Sequence, residues 1–258
     1  MRRPLVLTNW KASMTTAEGL AYVQALLPLV QELCAEGDVL VFPPFTSLAA
    51  IAAALQGTGI QMGAQDLASS DEPYQTGQMT SRLLIEAGCR WVLVGHWEVR
   101  RALGDDEAKM KHKLQVALAA GLQVVTVIGQ AASDPSPLED ALRRQLEQVL
   151  AGCSAANLAH MAIMYEPQGL LGRATPASTE HVASAVHTMR DWLGDRYGAA
   201  TAEGMRIVYG GSLGLAHAPE LLADAGLDGL GATRAARDPA AFAAMLRMAI
   251  KAHHHPIS

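Results

Sequence analysis

Several short stretches of this sequence carry the side chains needed to move a proton on a small anion. Asn9-Trp10-Lys11 offers an amide and a cation, and Gly95-His96-Trp97-Glu98 an imidazole and a carboxylate. Tyr165-Glu166-Pro167 adds a second carboxylate, and Tyr209-Gly210-Gly211-Ser212 a turn whose backbone N–H groups can face an anion. A base, an electrophile, a cation and an anion-binding turn are together the parts for proton transfer on a phosphorylated molecule. Each part also has a plainer reading. His96 can be a structural histidine, Lys11 and Glu98 a surface ion pair of little worth, Glu166 an exposed strand end, and the Gly-Gly-Ser a turn into a helix.

The elements around these residues favour the chemical reading. Short apolar runs alternate with helical patterns in eight rounds, which predicts a parallel sheet. Strands are expected at Leu5–Asn9, Val39–Phe42, Ile60–Ala64, Trp91–Gly95, Gln123–Ile128, Met161–Glu166, Arg206–Tyr209 and, weakly, Gly229–Ala232. Helices are expected at Thr16–Cys34, Thr46–Leu55, Thr80–Ala87, Asp105–Ala120, Leu138–Leu150, Ser178–Leu193, Leu215–Ala225 and Pro239–Ala252. Continuously apolar strands suit burial on both faces, and no Gly-x-Gly-x-x-Gly opens the first helix. The expected fold is therefore a single α/β domain, a (β/α)8 barrel over residues 1–252, with a polar tail at 253–258. In such a barrel the working residues sit where strands end, and each candidate above lies there. Behind Glu166, Pro167 breaks the strand, and a glycine-containing loop leads to Ser178 and Thr179, which can cap the next helix. A base at a strand edge with a loop able to exclude water is well placed.

Composition excludes other classes. The 258 residues are 50% apolar and 17% charged, with a formal net charge of −5, so there is no basic footprint for nucleic acid. No apolar run approaches the 18 or so residues of a membrane span, and the polar start Met-Arg-Arg-Pro is not a secretory signal. Cys34, Cys89 and Cys153 are odd in number, with no metal-ligand spacing, and read as reduced thiols of a cytoplasmic protein. His253, His254 and His255 are read as a frayed terminus rather than a metal site.

The motifs resemble the triosephosphate isomerase family. Asn9-Trp10-Lys11, Gly95-His96-x-Glu98, Tyr165-Glu166-Pro167, Gly172 and Tyr209-Gly210-Gly211-Ser212 match in order and spacing, with support from Pro43-Pro44-Phe45, Gly63-Ala64-Gln65, Thr76-Gly77 and Ile128-Gly129. The resemblance implies that Glu166 is the base and that a neutral His96 donates to substrate oxygens. Lys11 supplies positive charge, Glu98 positions Lys11, and Asn9 donates to a substrate oxygen. Gly172 and Ser212 offer N–H groups to the phosphate, and no metal or organic cofactor is needed. The implied reaction interconverts glyceraldehyde 3-phosphate and dihydroxyacetone phosphate. Two alternatives stay open: the same chemistry on a tetrulose 4-phosphate, and a paralogue that binds a phosphorylated ligand but turns over poorly. The polar segment Gln65–Met79 resembles a loop that inserts into a partner subunit, with Thr76 reaching the other active site, which implies a homodimer.

The sequence departs from the family around the lid and the phosphate. Trp97 follows the histidine where serine is usual, Gly169 takes the place of a hinge tryptophan, and Gln130 replaces a glutamate. Trp97 is expected to fill part of the volume vacated at residue 169, since a buried void is unfavourable. Gly169 loosens the leading hinge, whereas Pro176 stiffens the other. After strand eight, Thr233 and Arg234 stand where two glycines usually meet the phosphate. An arginine there, with Pro-Ala-Ser in the lid, resembles the tetrulose-phosphate branch.

Overall fold

The structure, a computed structural model, describes residues 2–170 and 177–254. Gly172 and Pro176 of the lid lie outside the described residues. Eight parallel strands close into one barrel in sequence order. They are β1 (Leu5–Asn9), β2 (Asp38–Phe42), β3 (Ile60–Ala64), β4 (Trp91–Val94), β5 (Gln123–Ile128), β6 (Met161–Tyr165), β7 (Arg206–Tyr209) and β8 (Gly229–Ala232). The described helices are α1 (Thr16–Val30), α2 (Leu48–Leu55), α3 (Ser81–Glu86), α4 (Trp97–Leu103), α5 (Glu107–Ala119) and α6 (Leu138–Val149). They continue with α7 (Ala155–Leu158), α8 (Thr179–Tyr197), α9 (Ala199–Gly204), α10 (Ala218–Asp224) and α11 (Pro239–His254). None of them is long and apolar enough to cross a membrane.

Period-two alternation sorts each strand between two cores. Leu5, Leu7, Leu40, Phe42, Trp91, Leu93, Val125, Val127, Met164 and Val208 fill the barrel interior. The intervening residues, such as Val6, Val41, Val92, Ile163 and Ile207, pack outward against the helices. The weak strand β8 is poor in side chains for a steric reason. A Cβ at Gly231 would come within 2.8 Å of Met164 Sδ, and one at Gly229 within 1.7 Å of the Leu5 carbonyl oxygen. Small residues on β8 thus leave room for the large ones opposite them.

Three short helices were not expected. In α4 no residue is fully buried, so it carries no apolar period to read. It is set instead by its ends: His96 caps the N-terminus, and Gly104 ends it in the left-handed region at φ 70°. Helix α7 rests on a Ser154–Asn157 capping box. Helix α9 follows α8 after Gly198, at φ 89°. The C-terminal boundary also moves: α11 runs through His253 and His254, so the expected tail gives up two residues to its last turn. His254 Nε2 lies 3.6 Å from Glu36 Oε2 there, while His255 lies outside the described residues.

A buried ionic group braces the loops above β3 and β4. Lys113 Nζ on α5 is 2.7 Å from Asp66 Oδ1 and 2.5 Å from Asp105 Oδ2, and the three side chains are 6%, 15% and 4% exposed. Burial raises the Asp66 pKa, and Lys113 opposes that rise. Removing the cation leaves two carboxylates facing one another out of water. Lys113→Ala is therefore expected to destabilise the protein by about 3–5 kcal/mol, measured as a lowered urea midpoint. An unchanged midpoint means that water reaches the carboxylates.

Candidate active site

All the strand-end residues singled out in the described sequence converge at the C-terminal mouth of the barrel. Lys11 follows β1 and has φ 52°, an unusual backbone for a residue with a side chain. Strain of this kind, about 1–3 kcal/mol, persists only where neighbours hold it. Here Asn9 Oδ1 accepts the Lys11 N–H at 2.9 Å, and Gln65 Nε2 donates to the Lys11 carbonyl at 2.8 Å and to that of Phe42 at 3.0 Å. The turn aims the side chain across the mouth, where Lys11 Nζ meets Glu98 Oε1 at 2.8 Å. Asn9 thus meets the turn through its side-chain oxygen, and its NH2 group is the remaining donor of that side chain.

His96 is turned into the mouth by Gly95. That residue has φ 85°, and a Cβ on it would come within 2.2 Å of Met110 Cε, so only glycine fits. The Glu98 N–H donates to His96 Nδ1 at 3.2 Å. An Nδ1 that accepts carries no proton, so the proton of the neutral ring sits on Nε2. Burial first, and the charge of Lys11 second, lower the His96 pKa to about 4, against the opposing pull of Glu98. At neutral pH His96 is thus a neutral N–H donor, and its Nε2 stands 3.9 Å from Glu166 Oε1.

Glu166 lies one residue past β6, its N–H still donating to the Ile128 carbonyl at 2.9 Å. Gly129 makes room for it: a Cβ there would fall 1.9 Å from the Glu166 carbonyl oxygen. The side chain is 5% exposed, and Oε2 is buried without a hydrogen-bond partner among the described residues. Burial raises the Glu166 pKa to about 8, although Lys11 and the Trp97 N–H work against the rise. A desolvated carboxyl beside a neutral imidazole N–H suits a base and an electrophile acting on one substrate.

A cavity of about 330 Å³ runs from Lys11 and Glu166 to Gly210, Gly211, Ser212, Thr233 and Arg234. The glycine turn is sterically required, since a Cβ at Gly210 would meet Met164 at 2.5 Å and one at Gly211 the Tyr209 hydroxyl at 2.2 Å. Among the described residues no group of three His, Cys, Asp or Glu side chains is placed to hold a metal ion.

The same cavity is lined by Trp97 and Arg237, and neither was expected there. Trp97 departs from its expected place. Its ring lies 4.7 Å beneath the Arg101 guanidinium and lines the active-site cavity. A separate cavity of about 330 Å³ remains beside Pro167, Gly169 and Leu170, lined by Gln130, Ala132, Tyr165 and His181 but not by Trp97. Trp97 is the first residue of α4, and it lines the active-site cavity but not the space beside the hinge. Gln130 has a task that a carboxylate has no hydrogen to perform: its NH2 donates to the carbonyls of Asp134 at 3.2 Å and Ser136 at 2.6 Å.

The raised Glu166 pKa links the site to stability. Because the folded value lies above the ordinary 4.5, the folded state holds this proton more tightly than the unfolded chain. That stabilisation is fully present below pH 4.5 and is lost as pH rises through about 8. Glu166→Gln keeps the shape and removes the ionisation. Relative to the parent protein it is expected to gain stability between pH 5 and pH 9. Thermal melts at the two pH values check this, and an equal difference at both means that the carboxylate is solvated.

Comparison with known proteins agrees with this geometry. The profile of the family described as triosephosphate isomerase matches residues 4–249. The triosephosphate isomerase of Herpetosiphon aurantiacus is 37% identical over 234 residues, covering 89% of this chain and 92% of its own. That of Moorella thermoacetica is 34% identical over 248 residues, covering 95% and 98%. The crystal structure of triosephosphate isomerase from Bartonella henselae superposes with a TM-score of 0.84 at 28% identity, over 95% of this chain and 98% of that one. With a profile spanning the whole barrel and relatives of this identity along nearly their full length, the chain belongs to the triosephosphate isomerase family.

Proposed function

We propose that the protein interconverts glyceraldehyde 3-phosphate and dihydroxyacetone phosphate through an enediolate. The observation that carries this reading is the pair formed by buried Glu166 and neutral His96, 3.9 Å apart in a cavity that also holds Lys11. Glu166 removes a proton from the carbon beside the carbonyl and returns one to the neighbouring carbon. His96 Nε2–H donates to the oxygens as negative charge moves between them, and Lys11 stabilises that charge. Glu98 holds Lys11 in place, and Asn9 donates to a substrate oxygen. Gly210, Gly211 and Ser212 face the phosphate, together with Thr233 and Arg234. Triosephosphate isomerase as the name of the full-length relatives supports the substrate. A tetrulose 4-phosphate is the second reading, favoured by the place of Arg234 at the phosphate end.

Two measurements test the chemistry together. Glu166→Asp withdraws the carboxylate by one methylene and is expected to lower turnover of glyceraldehyde 3-phosphate by about 10²-fold or more. In the parent enzyme, kcat/KM reports ionisations of the free protein, so its acid limb is expected near pH 8, where Glu166 titrates. Unchanged turnover removes Glu166 from the role of base. Turnover of erythrulose 4-phosphate in preference to the triose moves the enzyme to the four-carbon reading.

A homodimer is the second part of the proposal. The loop from Gln65 to Met79 carries Tyr74 at 96% exposure, with Thr76 and Gly77 beside it. An aromatic ring left in water at the tip of a long loop suits insertion into a second copy. The loop is braced at its base, where Asp71 Oδ1 accepts the Ser81 N–H at 2.8 Å and the Ala68 N–H donates to Met79 at 2.8 Å. Tyr74→Asp is expected to shift the mass measured by light scattering toward the monomer. A parent protein that is already monomeric ends this reading.

A further inference from the structure

The mouth of the barrel holds a second arginine that neither the motifs nor the residue roles above account for. We propose that Arg237 is a specificity-determining residue. With Arg234 it forms a side-chain clamp for the phosphate dianion in the cavity that Glu166 also lines. The proposal rests on the isomerase reading for its substrate, but its geometry stands separately.

The argument begins with the backbone. Arg234 has helical φ and ψ, and Ala235–Arg237 form a 3-10 turn directly after β8, the Arg237 N–H donating to the Arg234 carbonyl at 3.3 Å. A 3-10 turn has three residues per turn, so side chains at i and i+3 eclipse one another. Arg234 and Arg237 must therefore leave the turn on one side, and both line the cavity that contains Lys11, Glu166 and the Gly210-Gly211-Ser212 turn. The turn is held from behind. Ala236 is fully buried, and its carbonyl accepts the Tyr22 hydroxyl at 2.7 Å. Downstream, Asp238 Oδ1 accepts the Ala240 N–H at 3.1 Å and anchors the start of α11.

The charges point the same way. Lys11 is committed to Glu98 at 2.8 Å. Arg234 and Arg237 have no carboxylate within ion-pairing distance among the described residues, in contrast to Arg2, Arg100, Arg190 and Arg206. Two unpaired guanidinium charges match a phosphate dianion, and each planar fork can take two of its oxygens. Where backbone N–H groups alone hold a phosphate, the anion meets partial charges; here it also meets two whole ones. Affinity for the dianion should therefore depend on ionic strength more strongly than shape recognition alone would give.

The test uses the full-length protein, with inorganic phosphate as the probe and glyceraldehyde 3-phosphate as the substrate. Arg237→Gln is expected to raise the inhibition constant of inorganic phosphate about tenfold. KM should rise by more than kcat falls. The variant should also lose about half of the salt dependence of phosphate binding, since Arg234 keeps its charge, a readout that a merely structural arginine would not move. Arg237→Lys should recover part of the loss, because it restores the charge but not the fork. An inhibition constant within twofold of the parent's, with the same salt dependence, overturns the proposal. A fall in kcat with KM and phosphate binding unchanged overturns it as well. If the parent binds phosphate but does not turn over the triose, the substrate reading fails, while the phosphate measurements still decide the clamp.

Discussion

Keeping the Glu166 carboxyl out of water constrains much of the rest of this molecule. A carboxylate prefers hydration strongly, so a site that buries one must supply compensating interactions or accept a raised pKa. Here both occur: the pKa rises to about 8, while Lys11 and the Trp97 N–H limit the rise. The backbone around the residue is correspondingly crowded, with Gly129 leaving no space for even a methyl group against the Glu166 carbonyl. Elsewhere in the fold other charged groups are also held in place, Lys11 by its strained turn and the Gln65 brace, and Lys113 by Asp66 and Asp105. Each is held where a flexible side chain would otherwise seek solvent.

His96 illustrates how a short helix can set chemistry. Its ring caps α4 by accepting the Glu98 N–H, and this hydrogen bond fixes the tautomer. The cap thus leaves Nε2–H facing Glu166, with the ring kept neutral by burial and by the nearby lysine. Helix cap and tautomer therefore come from one contact. The neighbouring Trp97 starts the same helix, and it lines the active-site cavity beneath Arg101 but not the space beside Gly169.

The turns after β7 and β8 show a different division of labour. The Gly210-Gly211 turn presents backbone because Met164 and Tyr209 occupy the space that side chains would need. The turn after β8 presents side chains instead, since a buried Ala236 and its bond from Tyr22 fix which way the two arginines leave. Small-residue backbone on one strand end and guanidinium groups on the next thus line one cavity.

Much of this was legible in the residues alone. Largely apolar runs such as Val124 to Ile128, broken only by Thr126, and Met161 to Tyr165 state a strand buried on both faces, and eight short runs alternating with helices state the barrel. Placing functional groups at strand ends then picked out Asn9, Lys11, His96, Glu98 and Glu166, because strand ends are visible in local pattern. What local pattern does not carry is direction. The tautomer of His96, the cavity that Trp97 lines and the shared side of Arg234 and Arg237 depend on turn geometry and on which distant atoms block the alternatives. Residue type and period are properties of short segments, whereas convergence on one cavity exists only after the barrel has closed.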